Sequence, residues 1–130
     1  MRRLSLLILA PLLALGISAS SAMAAEQKKV VYFQTWSAEM DTDAQSVIDE
    51  SAALARDNAK SRVVVSGFAS TTGSRRANQL LSELRAQVVA DRLMEKGVKA
   101  SRIRMESRGA SHFVSTPLES RRVEVTITGR

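Results

Sequence analysis

The chain has 130 residues, of which 45% are apolar and 25% are charged, the balance of one ordinary globular domain. It contains no cysteine and a single histidine, His112. This composition excludes disulfide frameworks, thiolate chemistry, cysteine-linked lipid attachment and metal sites built from several histidines. The formal net charge is +6, and without Arg2 and Arg3 it is +4. Such a modest basic excess is not a nucleic-acid-binding signature.

The first 25 residues have the features of an export signal. Met1–Arg3 is basic, and Leu4–Ile17 is an apolar stretch too short to span about 30 Å of hydrocarbon. Ala22–Ala24 then fits a small-x-small cleavage site. We therefore predict a signal peptide over residues 1–25 and a soluble, exported domain over residues 26–130 with no membrane span. An uncleaved N-terminal anchor is the alternative.

The first half of the exported domain alternates between strand and helix patterns. Lys28–Thr35 is rich in β-branched and aromatic residues and predicts a strand. Thr42 and Gln45 form a capping-box pattern, which predicts that the Thr42 side chain caps the start of a helix, and this helix ends near Asn58. Arg62–Ser66 is a short β-branched run that predicts a second strand.

The second half continues with a longer helix and two strands. Ser74 is the predicted N-cap of this helix, and Gly97 is the residue just past its end. Arg102–Ser107 and Arg121–Thr128 are the predicted strands. The apolar stripe expected to face the core comprises Ala77, Leu80, Leu81, Leu84 and Val88. The order β-α-β-α-β-β predicts an α+β fold, with two helices on one face of a small mixed sheet.

The chain carries little that resembles catalytic chemistry. Asp41, Asp43, Asp49 and Glu50 lie at or near a predicted helix N-terminus, where carboxylates interact favourably with the helix dipole. His112 lies in a predicted loop with no partner chemistry nearby in the sequence, and we interpret it as a solvated side chain. We therefore predict that the protein is not an enzyme and that it uses neither a cofactor nor a metal.

One segment combines features that favour anion binding. Gly67 ends a strand, the hydroxyl-rich loop Ser70–Ser74 follows, and a helix then begins, so that backbone N–H groups and a helix dipole point into one place. Asn78, Ser82 and Arg85 recur at i, i+4 and i+7 and form a polar line beside the apolar stripe. The planar guanidinium of Arg85 is suited to holding a carboxylate. The alternative is a solvated helix face without a ligand.

These segments resemble the OmpA-like domain family, the peptidoglycan-associating domain at the C-terminus of OmpA and MotB. The resemblance rests on Val63–Ser74 (VVVSGFASTTGS) and Asn78–Ala86 (NQLLSELRA). Val31–Phe33, Gly97–Ile103 and the closing Arg121–Val125 (RRVEV) also look like blocks of that family. The resemblance covers about Lys28 to Thr128, and it implies a β-α-β-α-β-β fold.

The resemblance also implies a function. Members of this family bind the cell wall of Gram-negative bacteria without covalent attachment, so we expect a periplasmic protein that supports envelope integrity and associates with the outer membrane or remains free of it. In the family, an Asp in the loop after the second strand and an Arg on the next helix grip the diaminopimelate of a peptidoglycan stem peptide. The Arg corresponds to Arg85. The expected ligand-binding residues are Arg85, Ser70, Thr71, Asn78 and Ser82.

The chain departs from the family pattern at several positions. The family's Gly-His-Thr-Asp reads Gly67–Ser70 here, so a neutral Ser70 stands where the Asp is expected. Phe33–Ser37 lacks two further family carboxylates, and the stretch Gly109–Glu119 is shorter than the usual final loop. Losing one charge-assisted contact costs about 1–3 kcal/mol.

Two alternatives to wall binding stay open. One is a periplasmic protein-interaction module that keeps the fold but has lost peptidoglycan binding. It would use Trp36 and Phe68, although Phe68 fits a core position equally well. The other is a basic exported protein that binds polyanions, which a net charge of +4 without a Lys/Arg run supports only weakly.

Overall fold

The structure, a computed structural model, describes residues 26–109 and 120–129. His112 and most of the predicted final loop lie outside these residues. The elements are β1 (Gln27–Tyr32), α1 (Thr42–Asp57), β2 (Arg62–Phe68), α2 (Arg75–Glu95), a 3-10 turn (Ala100–Arg102), β3 (Ile103–Gly109) and β4 (Arg122–Thr128). The predicted element order is therefore confirmed. The largest boundary difference is at β1, which ends at Tyr32 rather than Thr35.

The four strands form one mixed sheet in the order β1-β4-β2-β3. β4 pairs antiparallel with both β1 and β2, whereas β3 pairs parallel with β2 after the α2 crossover. Val123, Val125 and Ile127 are buried on one face of β4, as their alternation predicts. They pack with Val63 and Val65 of β2 and with residues from both helices in one core.

The N-cap of helix α1 lies one residue earlier than the capping-box pattern predicted. Asp41, rather than Thr42, is the N-cap, and its Oδ1 accepts the backbone N–H of Ala44 at 2.8 Å. The prediction was wrong because the Gln45 side chain donates to the carbonyl of Met40 and leaves the reciprocal capping contact unmade. The predicted end at Asn58 is confirmed.

Three of the acidic residues at or near the start of α1 contact other parts of the chain. Besides the Asp41 cap, Asp49 accepts from Nε and Nη2 of Arg92 at 3.2 and 3.3 Å, and this contact lowers the pKa of Asp49. Glu50 lies 4.0 Å from the ammonium group of Lys29. Within the part of the chain that the structure describes, no three His, Asp or Glu residues form a group that could hold a metal ion.

Helix α2 packs on a face that is rotated by one residue, roughly 100°, from the one that its apolar stripe predicted. Val88 of that stripe still packs at the edge of the core. Leu80 and Leu84 are each 52% exposed. The buried residues are Asn78, Ser82, Arg85, Ala86, Val89, Ala90 and Leu93. The prediction of a core-facing leucine stripe was therefore wrong.

The reason for this orientation is close packing of backbone against backbone. A Cβ atom at Gly67 would lie 2.1 Å from the carbonyl oxygen of Ser82 and 3.3 Å from Cβ of Ala86. Such an approach requires glycine on the strand and small residues on the helix, so the small and polar face of α2 meets the sheet.

Neither α1 nor α2 combines the length and apolar character needed to cross a membrane.

Candidate functional site

A cavity of about 220 Å³ opens at the end of the sheet where β1 and β2 finish and β4 begins. The loop after β1, the loop after β2, the first turns of α2 and the start of β4 all contribute to its wall. Among the described residues, those that line it are Thr35, Trp36, Ser70, Thr72, Asn78, Leu81, Arg85 and Arg121. No acidic residue is among them.

The loop after β2 is held in shape by its own side chains. Ser70 Oγ accepts the backbone N–H of Thr72 at 3.0 Å, and Gly73 supplies a φ of +89°. Ser74 caps α2 by accepting the N–H of Ala77 at 3.3 Å, which confirms its predicted role. These contacts shape the loop, and Ser70 and Thr72 line the cavity from it.

Asn78 joins the first turn of α2 to this loop. Its Nδ2 donates to the carbonyls of Thr72 at 2.8 Å and Ser74 at 3.0 Å. The residue is only 1% exposed, and its Oδ1 has no hydrogen-bond partner among the described residues. Because an unsatisfied buried acceptor costs about 1–3 kcal/mol, a ligand donor that reached Oδ1 would bind favourably.

Arg85 is buried rather than exposed beside an apolar stripe. The residue is 0% exposed. Its Nε donates to Ser37 O at 2.8 Å, Nη2 to Gln34 O at 2.9 Å and Nη1 to Phe68 O at 3.4 Å. The expectation that Arg85 lies on a polar surface line was therefore wrong. The residue ties the loop after β1 to the end of β2.

The charge of Arg85 has no acidic partner within the described residues, since no carboxylate lies within 4.0 Å of it there. Burial, together with the smaller effect of the positive charge of Arg121, lowers the pKa of Arg85 to about 10. Arg85 therefore remains a cation at neutral pH. Its carbonyl contacts use three of the five N–H groups of a guanidinium. A carboxylate in the cavity would supply the missing counter-charge.

Trp36, which the sequence analysis considered for a contact with a protein partner, forms a wall of the cavity. It is 57% exposed and adopts a φ of +54°, a left-handed conformation that is costly for a bulky residue. Its indole lies beside Gly73, where an added Cβ would be 3.2 Å from Cζ2 of the ring. Phe68, the other aromatic residue that we considered for a surface contact, is buried, and the Arg122 guanidinium lies 3.7 Å from the centre of its ring.

The structure brings together three of the five predicted ligand-binding residues, namely Ser70, Asn78 and Arg85. Thr71 is exposed and is not among the described residues that line the cavity. Ser82 is fully buried away from it, where its Oγ donates to Gln79 O at 2.8 Å and contacts Ser107 Oγ.

Thr72 also lines the cavity, and it belongs to the Ser70–Ser74 loop that was expected at the site. The lining residues that were not predicted as ligand-binding are Thr35, Trp36, Leu81 and Arg121. Arg121 lies in the segment Arg121–Val125, which looks like a block of the OmpA-like family. Its place in that block was the only feature of the sequence that marked Arg121 as a candidate site residue.

Comparison with known proteins identifies the relatives of this chain. It is 31% identical over 104 residues to Probable lipoprotein YiaD of Escherichia coli (strain K12), covering 75% of this chain and 48% of the relative. It is 30% identical over 105 residues to the Peptidoglycan-associated lipoprotein of Mesorhizobium japonicum, covering 76% of this chain and 62% of the relative. The chain thus spans less than two thirds of the length of these relatives.

A solved structure shares the fold. The cell wall anchor of the T6SS from Pseudomonas aeruginosa superimposes with a TM-score of 0.68 at 27% identity, covering 81% of this chain and 82% of that one. The OmpA family model matches residues 32–124, which include all the described residues of the cavity. The chain therefore belongs to the OmpA family, as a non-catalytic member with the OmpA-like fold.

Proposed function

We propose that this protein is a periplasmic module that associates non-covalently with peptidoglycan and so supports envelope integrity. The diaminopimelate of a stem peptide is the proposed ligand, and the cavity beside Arg85 is the proposed site. The observation that carries this proposal is a buried arginine without a carboxylate partner among the described residues, next to a cavity of about 220 Å³. Such a site favours a small ligand that brings its own carboxylate.

The lining residues suit the carboxylate of a zwitterionic amino-acid centre better than its ammonium group. Arg85 and Arg121 attract the carboxylate, and Asn78 Oδ1 is an acceptor for the ammonium group. Ser70 and Thr72 offer only neutral oxygens, and Ser70 Oγ already accepts a backbone N–H. We therefore expect carboxylate recognition to dominate and ammonium recognition to be weak.

The relatives support an envelope location. One is named as a peptidoglycan-associated lipoprotein, and a structural neighbour is described as a cell wall anchor. Together with the export signal predicted over residues 1–25, these names favour the periplasm after cleavage near Ala24. N-terminal sequencing of protein from the periplasmic fraction should begin near Ala25. An intact Met1 would contradict the cleavage.

A second candidate function has its own support. Trp36 is 57% exposed at the cavity mouth, and no carboxylate lines the cavity among the described residues. A periplasmic protein-interaction module that has lost peptidoglycan binding would present such an aromatic contact.

Co-sedimentation with purified sacculi separates the two functions. We expect the wild type to sediment with sacculi and to be released by free diaminopimelate. Trp36→Ala should weaken retention because it removes a cavity wall. Tyr32→Ala, which removes another exposed aromatic residue outside the cavity, should not. Folded wild type that stays in the supernatant would contradict wall binding and favour the protein-interaction module.

A further inference from the structure

A second cleft lies at the opposite end of the sheet from the Arg85 cavity. Its volume is about 410 Å³, and it sits where β2 and β3 begin and β4 ends. Its basic lining residues are Lys60, Arg62, Arg102 and Arg104, and the other described lining residues include no acid. Strand β2 runs from this cleft toward the Arg85 cavity, which places the two about 20 Å apart.

The basic residues converge because of the sheet topology. Residues 58–62 and residues 96–104 are two segments that contain basic side chains and no acidic ones. β2 and β3 are parallel, with Val63 opposite Ile103, so the segments that precede the two strands meet at the same edge. Thr128, opposite Arg62, closes the cleft from β4.

Arg102 forms a fixed part of this cleft. Its Nε donates to Ser61 O at 3.0 Å, and its Nη2 donates to Asn58 O at 2.8 Å and Ser61 Oγ at 2.7 Å. These contacts hold the turn between α1 and β2 against the start of β3. The shape of the cleft is therefore set before any ligand arrives.

The remaining basic side chains are available to a partner. Lys60 and Arg62 are exposed, and neither has a carboxylate within 4.0 Å in the described parts of the chain. Arg104 pairs with Glu106 at 3.5 Å, but its side chain is 77% exposed, and such a pair contributes little. The cleft therefore has a net positive charge that the described residues do not neutralise.

The positive surface extends beyond the cleft. Lys99 is exposed in the segment that leads to the cleft, whereas Lys96, earlier in that segment, pairs with the carboxylate of Asp49 at 3.8 Å. One bound phosphate would engage the cleft alone and leave Lys99 unused. A surface that presents many phosphates would engage Lys99 together with the cleft.

We propose that this end of the domain binds the anionic phospholipid headgroups of a membrane surface, so that the protein contacts a membrane at one end of the sheet and the proposed wall ligand at the other. Binding is electrostatic and peripheral. It requires no membrane-spanning segment, and it weakens as salt rises because exposed charges are screened. The proposal stands on the basic cleft and does not depend on the Arg85 cavity.

Vesicle co-sedimentation at low and high salt tests this proposal. The mature protein, which is proposed to begin near Ala25, is mixed with vesicles that contain phosphatidylglycerol or with phosphatidylcholine vesicles of the same size. We expect binding only to the anionic vesicles, and we expect it to weaken with salt. Lys60→Gln/Arg62→Gln should weaken it by about thirtyfold, since each basic residue near an anionic surface contributes about fivefold.

The matched control is Arg75→Gln/Arg76→Gln, which removes two exposed charges at the start of α2. We expect this control to bind as the wild type does, apart from a small loss of long-range attraction. Equal weakening by both double variants, or equal binding to both kinds of vesicle, would overturn the proposal. Saturable binding of inorganic phosphate or polyphosphate without vesicle binding would overturn the membrane assignment.

Discussion

Truncating Arg85 to alanine should destabilise the domain strongly. The change removes hydrogen bonds of 2.8 and 2.9 Å from a charged donor, each worth about 1.5–3 kcal/mol, and the weaker contact of 3.4 Å. It also leaves a cavity in place of a long, fully buried side chain, which costs about 2–5 kcal/mol. Burial and the nearby charge of Arg121 lower the pKa of Arg85 to about 10, and this penalty of about 3 kcal/mol disappears when the charge is removed. The net expectation is a loss of about 4 kcal/mol.

Thermal unfolding monitored by circular dichroism measures this loss. For a domain of this size, about 4 kcal/mol corresponds to a fall in Tm of roughly 20 °C. Arg75→Ala, a truncation of an exposed arginine on the same helix, should change stability by less than about 0.5 kcal/mol. If Arg85→Ala unfolds at the temperature of the Arg75→Ala control, Arg85 does not tie the two loops together and the reasoning is refuted.

Three further predictions address the ligand and the packing. Ser70→Asp should bind a diaminopimelate-containing muropeptide about tenfold more tightly than the wild type, because it adds one carboxylate opposite the ammonium group; equal affinities in calorimetric titration would contradict a preserved site. Gly67→Ala should destabilise the domain by about 2 kcal/mol in urea unfolding, since its Cβ meets the Ser82 carbonyl at 2.1 Å, and an unchanged midpoint would show that α2 can move away. Leu93→Ala should cost about 2–5 kcal/mol and Leu84→Ala less than about 1 kcal/mol; the reverse order would mean that the leucine stripe faces the core after all.

Local patterns predicted the sheet well. The alternation of Val123, Val125 and Ile127 assigned the buried face of β4, and Ser74 and Gly97 marked the start of α2 and the turn that follows it. These features depend on neighbouring residues along the chain, and periodicity and capping chemistry report on such neighbours directly.

The orientation of α2 could not be obtained in the same way. Leu80 and Leu84 are the more apolar side chains, yet the helix turns toward the sheet the face that carries Ser82 and Arg85. The missing Cβ of Gly67 permits the close approach, and backbone carbonyls more than a dozen residues away satisfy the arginine. Neither contact is visible in the hydrophobic pattern of the helix itself.

Local sequence patterns predicted only part of the candidate site. Ser70, Asn78 and Arg85 were predicted as ligand-binding from the loop chemistry and the family-like motif, and the structure places all three at the cavity. Trp36 joins them because its backbone after β1 adopts a left-handed conformation and its indole lies beside Gly73. A tertiary contact of this kind leaves no trace in spacing or composition.

The central claim is that the cavity beside Arg85 binds the carboxylate of a peptidoglycan stem peptide. Calorimetric titration of the folded wild type with a diaminopimelate-containing muropeptide tests this claim most directly. The account predicts saturable one-to-one binding that is competed by free diaminopimelate and weakened by Trp36→Ala. The absence of binding to wild-type protein whose thermal unfolding is cooperative would contradict it.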